Sequence, residues 1–344
     1  MKFATFNLYQ FLEPGNWWYE KTAQNTYSQA LWDQKTGWIQ DTLRAIDADV
    51  VGFQEVFSKN ALQALCNAAG FEHFAVVGRA GQDEQDPQVF TRPVVALASK
   101  HPIVSLSEVG VSGEVAANLP LANGFAFSRT PIKAVLNTPE FGLIQVYVTH
   151  LKSKRPLYQT RYSPADALED KVFEEVLGQA QGKIAALLQR GAEAALLAAD
   201  VAKDQRYSKI PSVVLGDMNC DYTSVEYDAL SPSNYMPDIP KADGSEEDRH
   251  AVKAYANQLW LDSSYLRAEQ KDNAPTYYYH GKGSSLDYIF LTESFLNAGG
   301  RVARHQVWDD HLLDRDTSKP HGNQAKKKVS SDHAIVSVEI IAGA

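Results

Sequence analysis

The chain has 344 residues, 44% of them hydrophobic and 22% charged, which supplies apolar mass for a sizeable core. Its net charge of −9 excludes broad coating of a nucleic-acid backbone, which needs clustered Lys and Arg, although a local site can still hold phosphates. Two separated cysteines, Cys66 and Cys220, make neither a disulfide framework nor a zinc site.

The chain opens on a strand-like run. Residues 2–8 read as a buried strand carrying Asn7, and 10–30 read as a loop containing Trp17, Trp18 and Tyr19. Trp38, Ile39, Leu43 and Ile46 give 32–46 helical spacing, leading to a strand at 49–53 that delivers Gln54 and Glu55. A short helix at 59–69 follows. Strands then dominate, at 74–77, 94–99, 103–109, 132–137 and 143–149, the last ending at His150. Leu168, Val172, Val176, Ala180, Ile184, Leu187 and Leu188 predict a helix over 165–203, with Gly182 and Gly191 placed to bend or divide it. This helical insert, about 156–210, would cross over to a strand at 213–215. Residues 231–249 and 308–328 read as long surface loops, the second ending in Lys326, Lys327 and Lys328. Helices segregated from antiparallel-looking strands predict an α+β layered fold. Candidate site residues run from Asn7 to His333, so residues 1–344 read as a single catalytic domain. No leader pattern opens the chain, and no run approaches the roughly 20 apolar residues of a membrane span. The expectation is a cytoplasmic protein, or a secreted one if an N-terminal signal has been removed.

Polar residues recur at the strand ends. Glu55 with Asn7 would offer oxygens to a hard cation that keeps several waters, as magnesium does, or would be two solvated strand ends. In Gly216-Asp217-Met218-Asn219, a carboxylate could orient and deprotonate water while an amide donates to a phosphoryl oxygen; an Asx turn uses the same residues. His150 is followed by Lys152, Lys154 and Arg155, a local concentration of donors for an anion. Asp287 and His333 would form a carboxylate–imidazole pair, or His333 would be satisfied by a carbonyl. No Gly-x-Ser-x-Gly elbow, Walker loop, HExxH or calcineurin-like metallophosphoesterase pattern occurs.

Six segments, in order, resemble the endonuclease/exonuclease/phosphatase superfamily related to deoxyribonuclease I, and most resemble its bacterial nuclease-type members. They are Thr5-Phe6-Asn7, Gly52-Phe53-Gln54-Glu55-Val56, Thr149-His150-Leu151-Lys152, Gly216-Asp217-Met218-Asn219, Ser285-Leu286-Asp287-Tyr288 and Ser331-Asp332-His333. Phe127-Ser128-Arg129-Thr130-Pro131 is similar to a further family segment. The resemblance implies a four-layer α/β/β/α sandwich of two mainly antiparallel sheets and a metal-dependent phosphoester hydrolase. It implies magnesium or manganese, with calcium as a third option. Asn7 and Glu55 would bind the metal, with Asp332 at the same or a second metal position. Asp217 would orient or activate water, Asn219 and His150 would hold phosphoryl oxygens, and His333, oriented by Asp287, would assist proton transfer.

The leading expectation is a phosphodiesterase or nuclease. Lys152, Trp17 and Trp18 are expected to bind substrate, and Lys326, Lys327 and Lys328 to recruit it. The alternatives are an inositol-phosphate-like small-molecule phosphatase, a phospholipid-headgroup phosphodiesterase, or a non-catalytic binding relative. No protein partner is implied.

Overall fold

The computed structural model describes residues 1–119, 125–158, 161–232, 235–312 and 329–343. In chain order, β1 (Lys2–Phe11) and β2 (Trp17–Trp18) precede α1 (Gln29–Ile46). Helix α1 opens where the Ser28 side chain accepts from Leu31 N–H, and it stops at Asp47 in a left-handed conformation. Its buried residues Trp32, Lys35, Ile39, Leu43 and Ile46 recur at helical spacing. Next come β3 (Val50–Val56), α2 (Lys59–Ala68), β4 (His73–Val76), β5 (Gly81–Gln82), β6 (Val89–Arg92), β7 (Val94–Ser99), β8 (Ile103–Glu108) and α3 (Gly113–Ala116). Strands β9 (Ile132–Thr138) and β10 (Gly142–His150) lead into α4 (Leu168–Tyr207) and β11 (Ser212–Asp217). The remainder comprises α5 (Val225–Leu230), α6 (Arg249–Leu259), β12 (Leu261–Ser263), α7 (Ser264–Arg267), β13 (Gln270–Lys271), β14 (Tyr277–Tyr279) and β15 (Lys282–Ser284). It closes with β16 (Asp287–Thr292), α8 (Ser294–Asn297), β17 (Arg301–Trp308) and β18 (Ile335–Ile341).

A seven-stranded sheet, in order β13-β17-β18-β1-β3-β7-β4, faces a six-stranded sheet, β12-β16-β11-β10-β9-β8. Period-two alternation explains how the central strands can be apolar throughout. Val146, Val148, Val213 and Leu215 point inward to meet Phe3, Val50 and Leu97 between the sheets. Tyr147 and Val214 point outward onto Ala194, Leu197 and Val201 of α4. On the other side, Phe6 and Phe53 pack on Trp32, Ile39 and Leu43 of α1. Three cores between four layers make the α/β/β/α sandwich. Helix α1 carries the crossover that makes β1 and β3 parallel, and α4 does the same for β10 and β11. Gly52 lets the sheets close, because a Cβ there would sit 1.9 Å from Leu215 Cδ1.

Several expectations need correction. Helix α4 runs unbroken through Gly182 and Gly191. At Gly182 the missing side chain serves close approach, since a Cβ would lie 2.9 Å from Pro156 Cβ. Residues 10–30 are not all loop: β1 continues to Phe11, and Trp17–Trp18 pairs with β6. Arg249 opens α6 and Trp308 closes β17, each one residue inside the expected loop bounds; residues 313–328 of the second loop lie outside the described residues. No helix among the described residues is long and apolar enough to cross a membrane.

Candidate active site

The alternation that builds the inner core also places the site. Val146 and Val148 point inward, so His150 does; Val213 and Leu215 point inward, so Asp217 does; Ile289 and Leu291 bring Asp287 to the same face. The register then sets these three side by side, with His150 opposite Asp217 and Asp217 opposite Asp287. From the facing sheet, Phe3 and Thr5 share the parity of Asn7 in β1. Ser331 Oγ donates to Asn7 O at 2.7 Å and accepts from His333 N–H at 3.1 Å, which pins the turn before β18 against β1.

Asp217 is the hub. Its Oδ1 accepts from Asn219 N–H at 2.9 Å, and its Oδ2 accepts from Asn7 Nδ2 at 3.2 Å. His150 Nε2 and His333 Nε2 lie 3.3 and 4.0 Å from that same Oδ2. His333 Nδ1 is 2.9 Å from Asp287 Oδ2. Burial pushes the Asp217 carboxyl up to about 7, in spite of the opposing His333 charge. Burial, helped by the Arg129 charge, holds His150 well below the ordinary imidazole range, so it is neutral. Burial acts to lower His333 too, but Asp287 and then Asp217 outweigh it and hold the ring well above that range. One imidazole is therefore a neutral hydrogen-bonding group and the other a cation.

Glu55 arrives by a different route. Phe53 faces α1, so strict alternation would put Gln54 inward and Glu55 outward. A left-handed φ of 62° at Glu55 breaks the alternation, and the β3–β7 register shifts there. Glu55 Oε2 accepts from Gln10 N–H at 2.8 Å, where Tyr9 and Gln10 are themselves left-handed. Burial and then the Asp332 carboxylate raise the Glu55 pKa.

Asp217, Asp287 and His333 offer ligand atoms within 4.8 Å of one another. In this trio His333 Nδ1 and Asp287 Oδ2 are already committed to each other, which leaves fewer free ligand atoms than at Glu55. Glu55 fits better. It is a half-buried carboxylate held above its usual range beside a second carboxylate, an environment that a cation would relieve. Asn7 would add its amide oxygen, which accepts from Tyr9 N–H at 3.0 Å and retains a second lone pair. Asp287 Oδ1 and His150 Nδ1 are buried with no protein partner, leaving polar capacity at the centre.

The other expected residues lie as follows. Asn219 Nδ2 donates to Leu151 O at 3.2 Å, holding the exit of β10. Lys152 directs its ammonium to Ser153 O, Ser153 Oγ and Arg155 O at 2.9, 3.1 and 2.9 Å, so it shapes its own loop instead of reaching outward. Burial and Arg129 lower it to about 8. Trp18 is buried against Tyr27 in the core under α1, which corrects its expected place in a substrate wall. Trp17 is half-buried with Lys21 over its ring. Lys326, Lys327 and Lys328 lie outside the described residues. Sequence reasoning missed Arg129 as a site cation, although its segment carried a family likeness. Its charge acts on Glu55, His150 and Lys152. It also missed Tyr277, whose ring lies 5.0 Å from His333 and whose backbone bridges to it. The buried Lys35, which donates to Ser330 O at 2.7 Å, was missed as well.

A family model described as Endonuclease/Exonuclease/phosphatase family matches residues 4–333. No curated protein matches the chain. Among solved structures, the chain is similar to a mannosyl-6-phosphatase of Bacteroides thetaiotaomicron, at 16% identity and TM-score 0.54, covering 99% of each chain. It is similar to the human Nocturnin catalytic domain with bound sulfate, at 15% identity and TM-score 0.55, covering 99% of this chain and 94% of that one. It is also similar to ANGEL2, a 2',3'-cyclic phosphatase bound to adenosine-2',3'-vanadate, at 15% identity and TM-score 0.50, with 98% and 94% covered. At these identities the likeness shows the fold alone.

Proposed function

The chain belongs to the endonuclease/exonuclease/phosphatase family, and from that premise we propose that it is a divalent-metal-dependent phosphoester hydrolase. The observation that carries this reading is the convergence of Asp217, His150, Asn219 and the Asp287–His333 pair from three neighbouring strands and one turn. Residues 1–344 act as one catalytic unit in this reading, because Asn7 and His333 meet at the same carboxylate. Glu55 and Asn7, with Asp332 beside them, would hold magnesium or manganese. That ion, when bound, supplies positive charge to a phosphoryl oxygen and eases deprotonation of water.

Asp217 lies where it can orient the attacking water and take its proton in the ionised form, present above about pH 7. His333, kept cationic by Asp287, donates to developing negative charge or to the leaving oxygen. The neutral His150 and the remaining Asn219 N–H hold phosphoryl oxygens. Arg129 and Arg155 supply the nearby cations, because Lys152 is occupied within its loop.

Two observations favour a small phosphoester over a long nucleic-acid chain. The Arg129 charge acts on Glu55 and His150 within a protein of net charge −9, and Trp18 is withdrawn into the core. Nuclease or phosphodiesterase action on single-stranded nucleic acid is the second reading, favoured by the Tyr277 ring beside His333 as a stacking surface. The test is a screen with magnesium or manganese, with and without chelator. It compares nitrophenyl and bis-nitrophenyl phosphate, sugar phosphates, inositol phosphates, nucleotides, sphingomyelin, single-stranded DNA and RNA. Chelator-sensitive turnover of small monoesters is expected, whereas turnover of oligonucleotides alone favours the second reading. Turnover that survives chelation removes the metal.

A further inference from the structure

Helix α4 crosses between β10 and β11, but it also grips two loops at the site rim. Glu193, 1% exposed, uses both carboxylate oxygens. Oε1 accepts from Ser128 N–H at 2.6 Å and from Gln189 Nε2 at 3.0 Å. Oε2 accepts from Lys152 N–H at 2.6 Å. Those backbone donors belong to different loops. One carries Arg129, and the other carries Lys152, Lys154 and Arg155.

Neighbouring residues of the helix reinforce the grip. Arg190 Nη1 donates to Lys152 O at 3.2 Å, while its Nε donates to Glu226 at 2.7 Å. Gln189 Nε2 donates to Ala126 O at 2.8 Å. Further toward the helix N-terminus, Leu157 N–H donates to Gly182 O at 2.9 Å, and Gly178 and Gly182 leave room for the Tyr158 ring. Residues 151–158 are thus laid antiparallel along the helix. The loops are also tied to each other, since Arg129 Nη1 donates to Leu151 O at 3.4 Å.

The two loops supply the guanidinium charge of the site. Arg129 acts on Glu55 and His150, and Arg155 acts on Tyr9, Tyr19 and Tyr277. A single rigid carboxylate bridging both backbones fixes the gap between the two guanidinium groups. Charge-assisted hydrogen bonds to backbone N–H groups suit that task, being short and directional.

We propose that Glu193 is a positioning residue for anion binding: it sets the spacing of the Arg129 and Arg155 loops so that both cations converge on the substrate phosphoryl group. The inference rests on the phosphoester reading above. Glutamine at 193 keeps one acceptor oxygen but presents an amide NH₂ to the other loop, so one tether is lost at nearly unchanged volume. Weaker anion binding in ground and transition states alike raises KM and leaves kcat near its original value.

The experiment compares wild type, Glu193→Gln, Arg129→Ala and the double variant on nitrophenyl phosphate with manganese, using inorganic phosphate as competitive inhibitor. Glu193→Gln is expected to raise KM and the phosphate inhibition constant roughly 5–30-fold, with kcat within about threefold. In the Arg129→Ala background the same change should raise both constants by a clearly smaller factor than in wild type, because one of the two cations it positions is gone. Fully additive effects, or a fall in kcat with unchanged KM and phosphate inhibition, would assign Glu193 a merely structural role and overturn the inference. Gln189→Ala, at the half-exposed edge of the network, should shift phosphate inhibition in the same direction by less. If Glu193→Gln fails to fold, an unshifted Gln189→Ala overturns the inference instead. A wild type that neither hydrolyses a phosphoester nor binds phosphate by calorimetry overturns the phosphoester reading itself.

Discussion

Replacing Asp287 by Asn tests the electrostatic logic of the site most directly. The 2.9 Å contact to His333 Nδ1 is preserved in shape, but the negative charge is removed. Burial then acts on His333 with only Asp217 and Asp332 opposing it, so the ring should fall from well above its ordinary range into or below that range. Breaking a buried ion pair costs about 3–5 kcal/mol when the surviving charge is trapped. Here the imidazole can escape by losing its proton. The expected loss is therefore about 1.5–3 kcal/mol, the worth of one hydrogen bond to a charged group. The pH dependence has a definite sign. A folded pKa above the unfolded one contributes stability that is fully present below pH 6.5 and is lost as pH rises through the folded value. The stability gap between wild type and variant should thus be widest near pH 6 and narrow towards pH 9. The rate should drop about 10²–10⁴-fold, as expected when a catalytic imidazole loses its orienting carboxylate. The assays are imidazole NMR titration of the metal-free protein, urea unfolding across that pH range, and single-turnover hydrolysis. A variant whose His333 still titrates as in wild type, with a rate within tenfold, would refute the pairing as a functional element.

Glu55→Gln should abolish metal-supported turnover and weaken manganese binding at least tenfold by titration calorimetry, with the fold intact by circular dichroism; unchanged manganese affinity would move the metal elsewhere. Wild-type kcat/KM should fall as pH drops below about 7, because Asp217 takes up a proton there, and Asp217→Asn should lose about 10²–10⁴ in rate together with that acidic limb. Trp18→Ala should destabilise by about 3–5 kcal/mol with KM nearly constant, since the ring belongs to the core; a stable variant with raised KM would restore the stacking role. If the substrate proves to be an oligonucleotide, replacing Lys326, Lys327 and Lys328 by Gln should lower kcat/KM and flatten its salt dependence, and an unchanged slope would remove their recruiting role.

The polar strand ends of the candidate site were legible because they obey alternation. Once Val146 and Val213 are assigned to the core, His150 and Asp217 follow by counting in twos, and Asp287 joins them through register. Helices α1 and α2 were legible from their buried stripes. Helix α6 was not anticipated, although Val252, Tyr255, Ala256 and Leu259 recur at helical spacing; none of its residues is buried. The unbroken course of α4 was hidden because a helical glycine can signal a bend or a tight neighbour, and only the position of Pro156 and Tyr158 decides. Trp17 and Trp18 differ by one residue, yet one is half-exposed and the other buried. That difference depends on where Tyr27 and α1 pack, which no local pattern encodes. The inward turn of the Lys152 ammonium was hidden for a similar reason. A cation near a strand end in sequence can spend its donors on its own loop, and loop closure is a tertiary event.

The expected metal role of Glu55 needs its carboxylate at the site rim, and strand alternation alone does not deliver it there. Counting in twos from Gly52 delivers Gln54 to the inner face, where it indeed bonds with Thr5. A regular strand would therefore present an amide to the site and turn the carboxylate toward α1. The backbone prevents this with left-handed conformations at four non-glycine residues around the centre: Tyr9, Gln10, Glu55 and Asn219, with φ of 50°, 54°, 62° and 52°. Each such residue costs on the order of 1–3 kcal/mol and persists only where its surroundings over-determine it. Here the compensation is visible. Gln10 N–H is turned onto Glu55 Oε2, and Asn219 N–H onto Asp217 Oδ1. The strained positions thus aim N–H groups at two carboxylates, fixing their orientation before any ligand arrives. Strain concentrated at one rim, and relieved there by bonds to acidic side chains, is the pattern expected of a preorganised catalytic centre; two strands merely ending at a surface have no need of it.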